Sequence, residues 1–314
     1  MPMPRYDLAV TYDWEYDADF VRLVASAARN RGLSVLLVRP AEAARALADY
    51  RSGALDFNLL VDRASGSSPE FVELQALALA RGRDVLEGLD KLRWASDKAT
   101  MHLEFLSAGI PAPYTVILPS YAAQPHIVLA PRDLAPLGLP FVIKPANTTG
   151  GSLGVVIDAS GPAEVLSARR TYPADKYLLQ ERIVPESRDG RRFWFRGFYV
   201  LGQVHLTWWD DRTHVYAGLG YDQAAAAGLE TMYAMVRSIA RVSRLRFFST
   251  ELARDVRGRL VAVDYVNEIC DMSLRSAHAD GVPDAVVERI ADRIAAHAGA
   301  IAARPTGAGE GEEA

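Results

Sequence analysis

The chain has 314 residues, 35 Lys+Arg against 39 Asp+Glu for a net charge of −4, and half of its residues are hydrophobic. That balance excludes an intrinsically disordered chain, which is poor in apolar residues and far from neutral. It also argues against a nucleic-acid scaffold, which needs a basic surface. The length fits two domains, or three small ones packed together.

The predicted elements begin with a strand over 6–12, an aromatic and acidic loop over 13–17, and a helix over 19–30 with Gly32 past its end. A strand over 34–38, a helix over 41–51 and a strand over 55–61 follow. This β-α-β-α-β order predicts a small parallel α/β domain over residues 1–95. A helix over 97–108 comes next, then a strand over 114–118, an irregular stretch with a short helix to 140, and a strand over 141–145. A Gly/Thr/Ser loop over 147–154 leads to a strand over 155–157. A helix over 162–171 and a strand over 177–181 complete that section. Strands over 193–201 and 202–209 read as an antiparallel pair, and one long amphipathic helix is expected over 223–244. Strands over 247–254 and 260–266 are joined by a hairpin-type turn. A final helix runs over 283–303, and a Pro/Gly/Glu tail over 304–314 is expected to be disordered.

Cys270 is the single cysteine, which rules out an intrachain disulfide and a cysteine zinc site and fits a reducing compartment. No basic, apolar leader opens the sequence, and no apolar run approaches the roughly 20 residues of a membrane span. The expected location is cytoplasmic, with no membrane or nucleic-acid partner.

The strongest motif is the strand–loop–strand from Phe141 to Val155, with Lys144 on the first strand and Thr148, Thr149, Gly150, Gly151 and Ser152 in the loop. Glycines and hydroxyls let backbone N–H groups approach a phosphate. A Walker A loop and a Rossmann fingerprint both lead into a helix, and here a strand follows. On the loop alone, a tight hairpin without a ligand is an equal alternative. A second lysine, Lys98, stands at a helix start. Only four of the 35 basic residues are lysines, at 91, 98, 144 and 176. A position that keeps Lys in so Arg-rich a chain points to a need for a compact ammonium. Further on, Glu181 to Val184 closes a strand, and Glu251 and Asp264 lie on two strands joined by a turn, with Asn267 after them.

This ordered set over residues 96–300 resembles the ATP-grasp superfamily, in particular the glutathione synthetase and D-alanine–D-alanine ligase branch. The resemblance implies an N-terminal α/β domain (1–95), then central (96–184) and C-terminal (185–303) α+β subdomains that clamp ATP. Lys98 and Lys144 match the lysines on the α- and β-phosphates, with Thr148, Thr149, Gly150, Gly151 and Ser152 around the phosphates. Glu181, the Arg182 carbonyl and the Val184 N–H match the adenine hinge. Asp189 is the first choice for the ribose acid and Glu186 the second. Glu251, Asp264 and Asn267 match the metal ligands, for two Mg²⁺ ions or Mn²⁺ in their place. The family spaces the last acid and the Asn by two residues. Here the interval is three, so a β-bulge is needed, and Glu268 is the substitute ligand.

Arg192, Arg196 and Arg212, on or just after the strands facing the nucleotide, are the candidates for stabilising the transferred phosphoryl group, and the shared strand parity of the first two puts them on the same side. Ser273, Arg275 and Ser276, in the loop over 268–281, are the candidates for the acceptor site. The implied reaction joins a small-molecule carboxylate to an amine through an acyl phosphate, releasing ADP and phosphate. Rival readings are a small-molecule kinase on the same fold and a non-catalytic nucleotide-binding regulator. A homodimer is compatible with each.

Overall fold

A computed structural model of the chain describes residues 5–148 and 153–304. Thr149, Gly150, Gly151, Ser152 and the tail over 305–314 lie outside the described residues. By their contacts the residues form two compact units, one of 5–89 with 271–304 and one of 90–270.

The first unit is built on four parallel strands in the order β2-β1-β3-β4: β1 (Arg5–Tyr12), β2 (Val35–Val38), β3 (Asp56–Arg63) and β4 (Asp84–Leu86). Parallel strands need crossovers, supplied here by the helices Ala18–Arg29, Pro40–Ser52 and Pro69–Ala80. The middle helix shows how local sequence sets the ends. Pro40 opens it, the Glu42 carboxylate accepts from the Arg39 backbone N–H at 2.8 Å, and Gly53 closes it at φ 79°. Ala9, Phe57, Leu60 and Phe71 form part of the core.

In this unit the helix Pro69–Ala80 and β4 are among the elements that go beyond those read from the sequence. That helix reads PEFVELQALALA and is apolar on nearly all sides, so its sequence carries little periodic contrast. The C-terminal helix Asp284–Ala302 packs on the helix Ala18–Arg29 and on β1 and β3. The sequence division instead groups it with the strands that precede it.

The second unit holds two antiparallel sheets. One has the order β5-β8-β6-β7, from β5 (Thr115–Leu118), β6 (Phe141–Pro145), β7 (Val156–Ala159) and β8 (Tyr177–Glu181). After it comes a small ribbon of β9 (Ser187–Arg188) and β10 (Arg191–Arg192). The other sheet has the order β13-β12-β11-β14-β15, from β11 (Trp194–Val200), β12 (Gln203–Trp209), β13 (Tyr216–Gly218), β14 (Phe247–Arg254) and β15 (Leu260–Asn267).

The helices Lys98–Ser107 and Glu230–Ser243 share one core with this larger sheet, through Met101, Phe105, Val236, Ile239, Phe195 and Leu252. The single helix expected over 223–244 is two helices, Tyr221–Ala226 and Glu230–Ser243, because Gly228 between them takes φ 66°. Among the described residues no helix is long and apolar enough to cross a membrane.

Candidate functional site

The register of the larger sheet assembles the site. Arg196 on β11 lies directly opposite Glu251 on β14, and Glu251 lies opposite Asp264 on β15. Residues directly opposite each other in a ladder point to the same face, so one arginine and two carboxylates form a row across three strands. The neighbouring pair in the ladder is Ser249 with Asn267. Between these pairs one residue of β14, Thr250, therefore faces two of β15, Tyr265 and Val266. The extra residue is the bulge that a three-residue interval between Asp264 and Asn267 requires.

The other sheet sends Lys144 into this row. Its Nζ is 3.7 Å from Asp264 Oδ1, donates to the Val263 carbonyl at 3.4 Å and lies 5.4 Å from the centre of the Tyr265 ring. Arg196 Nη1 is 3.1 Å from Glu251 Oε1, and the Trp194 indole N–H donates to Glu251 Oε2 at 3.3 Å. The Arg196 guanidinium stacks 4.9 Å from the Trp209 ring centre. Lys98 opens the helix Lys98–Ser107, whose first turn is capped by Asp97. That carboxylate accepts from the N–H groups of Ala99 (2.9 Å) and Thr100 (3.1 Å) and pairs with Lys176 at 2.9 Å. The Lys98 N–H donates to the Ala146 carbonyl at the end of β6, tying the two lysine-bearing segments together.

The charges act on one another. Burial lowers the Lys144 pKa, Asp264 opposes this, and Lys98 adds to it by repulsion. Burial raises the Glu251 carboxyl, and the pull of Arg196 only partly counters that. For Asp264 burial works the same way, but Lys144, Lys98 and Arg196 outweigh it and hold the carboxyl below its ordinary value. Arg196 is raised, since Glu251, Tyr216 and Asp264 outweigh the cost of burying it. Three cations thus surround two carboxylates, an excess that suits a polyanion accompanied by a metal cation.

Among the described residues, the buried polar atoms without a hydrogen-bond partner include Asp264 Oδ1 and Arg196 Nε of the row and Nδ2 of neighbouring Asn267. Such orphans cost free energy unless a ligand meets them. A carboxylate pair with a neighbouring amide has the hard-oxygen chemistry that Mg²⁺ takes. Among the described residues no three His, Cys, Asp or Glu side chains gather into a metal cage by themselves. Mg²⁺ at phosphate sites is generally held by one or two carboxylates plus phosphate oxygens.

The remaining expected residues are placed as follows. Glu181 ends β8, and its carboxylate accepts from the Tyr114 N–H at 3.0 Å and from Arg259 at 3.3 Å. Arg182 pairs with Asp158, and the Val184 carbonyl accepts from the Val256 N–H at 3.0 Å, which pins the segment after β8 to the β14–β15 turn. Asp189 sits exposed at the tip of the β9–β10 ribbon with φ 52°. Glu186 pairs with Arg254 at 2.7 Å and Arg188 at 2.9 Å. Thr148 donates through its N–H and hydroxyl to Asp175.

Arg192 does not share a strand with Arg196. It lies on β10 and is held in a two-point pair by Asp211, at 2.6 and 2.7 Å. Phe193 alone separates the ribbon from β11, so strand parity does not carry across from Arg192 to Arg196. Arg212 is exposed in a turn whose N–H groups are capped by Asp210. Trp194, Trp209 and Tyr216 are site residues that the sequence reading missed. The two-residue parity of Trp194 with Arg196 was a signal that could have found the first.

No protein-family model matches the sequence, and no curated protein matches it either. Solved structures do match. A RimK domain ATP-grasp protein from Sphaerobacter thermophilus superposes with a TM-score of 0.62 at 22% identity, over 92% of this chain and 98% of that one. The D-alanine–D-alanine ligase of Bacillus anthracis, complexed with ATP, gives 0.63 at 12% identity, over 95% and 98%. The ATP-grasp ligase PsnB, complexed with a minimal precursor, Mg and ADP, gives 0.58 at 13% identity, over 93% and 98%. The chain has the ATP-grasp fold. The resemblance read from the ordered motifs agrees with this, and it extends over nearly the whole chain.

The acceptor-side residues of the ATP-grasp reading fall in the first unit. The Ser273 N–H and hydroxyl both donate to Asp271, at 2.8 and 2.5 Å. The Arg275 N–H donates to the Val282 carbonyl, and the Ser276 N–H donates to Asp284 at 3.0 Å. In the same unit His278 meets the Tyr16 ring edge-on at 5.2 Å, and Tyr16 lies 5.0 Å from Trp14. The aromatic loop after β1 and the loop over 271–281 are therefore neighbours.

Proposed function

We propose that the protein is an ATP- and Mg²⁺-dependent carboxylate–amine ligase that forms an amide bond and releases ADP and phosphate. The observation that carries this reading is the Arg196–Glu251–Asp264 row, met by Lys144 from the facing sheet. Lys144 and Lys98 would hold the α- and β-phosphates. Glu181, with the Arg182 carbonyl and the Val184 N–H, would receive the adenine edge, and Asp189 or Glu186 the ribose. Thr148, Thr149, Gly150, Gly151 and Ser152 are proposed for the phosphates.

Glu251, Asp264 and Asn267, with Glu268 as substitute, would hold Mg²⁺, two ions in all or Mn²⁺ in their place. When bound, the metal offsets the charge of the β- and γ-phosphates. Arg196 is the arginine favoured for the phosphoryl group, because it is buried in the row. The guanidinium of Arg192 is engaged by Asp211, and Arg212 lies in an exposed turn. Ser273, Arg275 and Ser276 are proposed for the acceptor.

A carboxylate oxygen of the acid substrate attacks the γ-phosphorus, the bond to the bridging oxygen breaks, and ADP leaves. The amine then attacks the acyl carbon and phosphate leaves with the original carboxylate oxygen. Neither step needs a protein nucleophile, so the protein's part is positioning and charge.

The test is an ADP- and phosphate-release screen over amino acids and small dicarboxylates, alone and in pairs, followed by product analysis with ¹⁸O in the carboxylate. Label in the released phosphate and a new amide are expected. A stable phosphorylated product would instead indicate a kinase, and AMP with pyrophosphate an adenylating ligase.

A further inference from the structure

Tyr265 follows Asp264 on β15 and is fully buried. Its hydroxyl accepts from Gln180 Nε2 at 2.8 Å and lies 3.0 Å from His102 Nδ1. The same Gln180 amide nitrogen donates to the Thr115 hydroxyl at 2.9 Å, and that hydroxyl donates to the Pro113 carbonyl at 2.8 Å. Gln180 spends its two N–H groups in this way, so the Tyr265 hydrogen goes to His102 Nδ1. That requires a neutral imidazole with its proton on Nε2. His102 and Gln180 are buried as deeply, at 3% and 2% exposure. The result is a buried chain of polar groups that runs from the Pro113 carbonyl through Thr115, Gln180 and Tyr265 to His102 Nδ1.

What the chain joins is specific. His102 is four residues after Lys98 on the same helix, one turn on and on the same face. Gln180 immediately precedes Glu181 at the end of β8, and Thr115 lies opposite it on β5. The Tyr265 ring itself meets the Lys144 ammonium at 5.4 Å. One phenol thus touches Lys144, the helix that carries Lys98 and the strand that carries Glu181, and it adjoins Asp264. A core that needed only packing would be served by phenylalanine here, as it is by Phe105 alongside, whose ring lies 5.3 Å from that of Tyr265.

We propose that Tyr265 is a positioning residue for the nucleotide, its hydroxyl fixing the spacing of the lysine helix, the adenine-side strand and the metal-side strand. This rests on the nucleotide site proposed above. Outer hydrogen-bond partners of this kind change ligand binding because they hold the contacting groups at the distance the ligand needs.

The test uses ADP with Mg²⁺ as the probe, titrated calorimetrically into the full chain, with thermal unfolding recorded alongside. The variants are Tyr265→Phe, His102→Leu and the two combined. Tyr265→Phe keeps the ring against Lys144 and removes the hydroxyl alone. Each single variant should weaken ADP·Mg²⁺ binding roughly tenfold or more. The double variant should be no weaker than the worse single one, because both break the same chain. His102→Leu keeps the test standing if Tyr265→Phe does not fold. Lower melting temperatures with wild-type ADP affinity in both single variants would make the network core packing and overturn the proposal. A wild-type protein that binds no ADP·Mg²⁺ would overturn the nucleotide reading itself, before any variant is made.

Discussion

Glu251 and Asp264 face each other on adjacent strands, yet their surroundings push their pKa values apart: burial raises Glu251, while Lys144, Lys98 and Arg196 outweigh burial at Asp264 and lower it. The charged form is therefore favoured at Asp264 and disfavoured at Glu251. Replacing each by its amide should reveal the asymmetry. Glu251→Gln should change stability little, whereas Asp264→Asn, which strips Lys144 of its partner, should cost about 1–3 kcal/mol. Both should keep the fold and lose turnover, since a neutral amide binds Mg²⁺ poorly beside a triphosphate. Urea unfolding and an ADP-release assay check the two halves. At this scale much was legible. Lysine stands out in an arginine-rich chain, and acids on paired strands stand out from turn residues. Trp209 and Tyr216 were not legible as candidate site residues, because their contacts depend on cross-strand register, which a sequence does not print.

The helix Lys98–Ser107 shows how an element carries a functional group. Its cap, Asp97, is opposed by burial, but Lys176 and the N–H groups of Thr100 and Ala99 outweigh that and lower its pKa below the ordinary 3.8. A lowered acid pKa contributes stability that is complete above the ordinary value and is lost as pH falls below it. Asp97→Ala should cost roughly 1 kcal/mol at neutral pH. The gap to wild type in urea midpoints should close as the pH falls below 3.8.

A second element-level test is the seat of the helix Glu230–Ser243. A Cβ on Gly197 of β11 would lie 2.8 Å from Val236 Cγ2 and 3.3 Å from Leu206 Cδ2. Valine is stiff at χ1, so Gly197→Ala should destabilise by about 1–3 kcal/mol through overpacking, read as a lower melting temperature. Periodicity found most helices and strands here. It failed where contrast vanished, at the helix Pro69–Ala80, and where a glycine broke a continuous pattern, at Gly228.

At the scale of the molecule, the chain returns to its first unit after completing the second. The helix Asp284–Ala302 buries Val286, Val287, Ile290, Ala291 and Ile294, and packs on the helix Ala18–Arg29 and on β1 and β3. Truncation before Asp284 should therefore expose the core around β1. Hydrogen exchange should show the loss of protection in β1 and β3, with the strands β11, β14 and β15 spared. A linear division of the sequence could not show this, since nothing local to residues 284–302 states which sheet they will cover. The fold class was legible because the order of motifs is a property of the whole chain. The substrates of the proposed ligase were not, because the loops proposed to receive them carry side chains that follow no period.

The most direct measurement is calorimetric titration of a non-hydrolysable ATP analogue with Mg²⁺ into wild type and Lys144→Ala. Lys144 reaches the Arg196–Glu251–Asp264 row, its Nζ 3.7 Å from Asp264 Oδ1. Micromolar to millimolar binding by wild type, with a loss of roughly tenfold or more in Lys144→Ala, is the predicted result. Equal affinity in the two proteins, or none in wild type, would contradict the account.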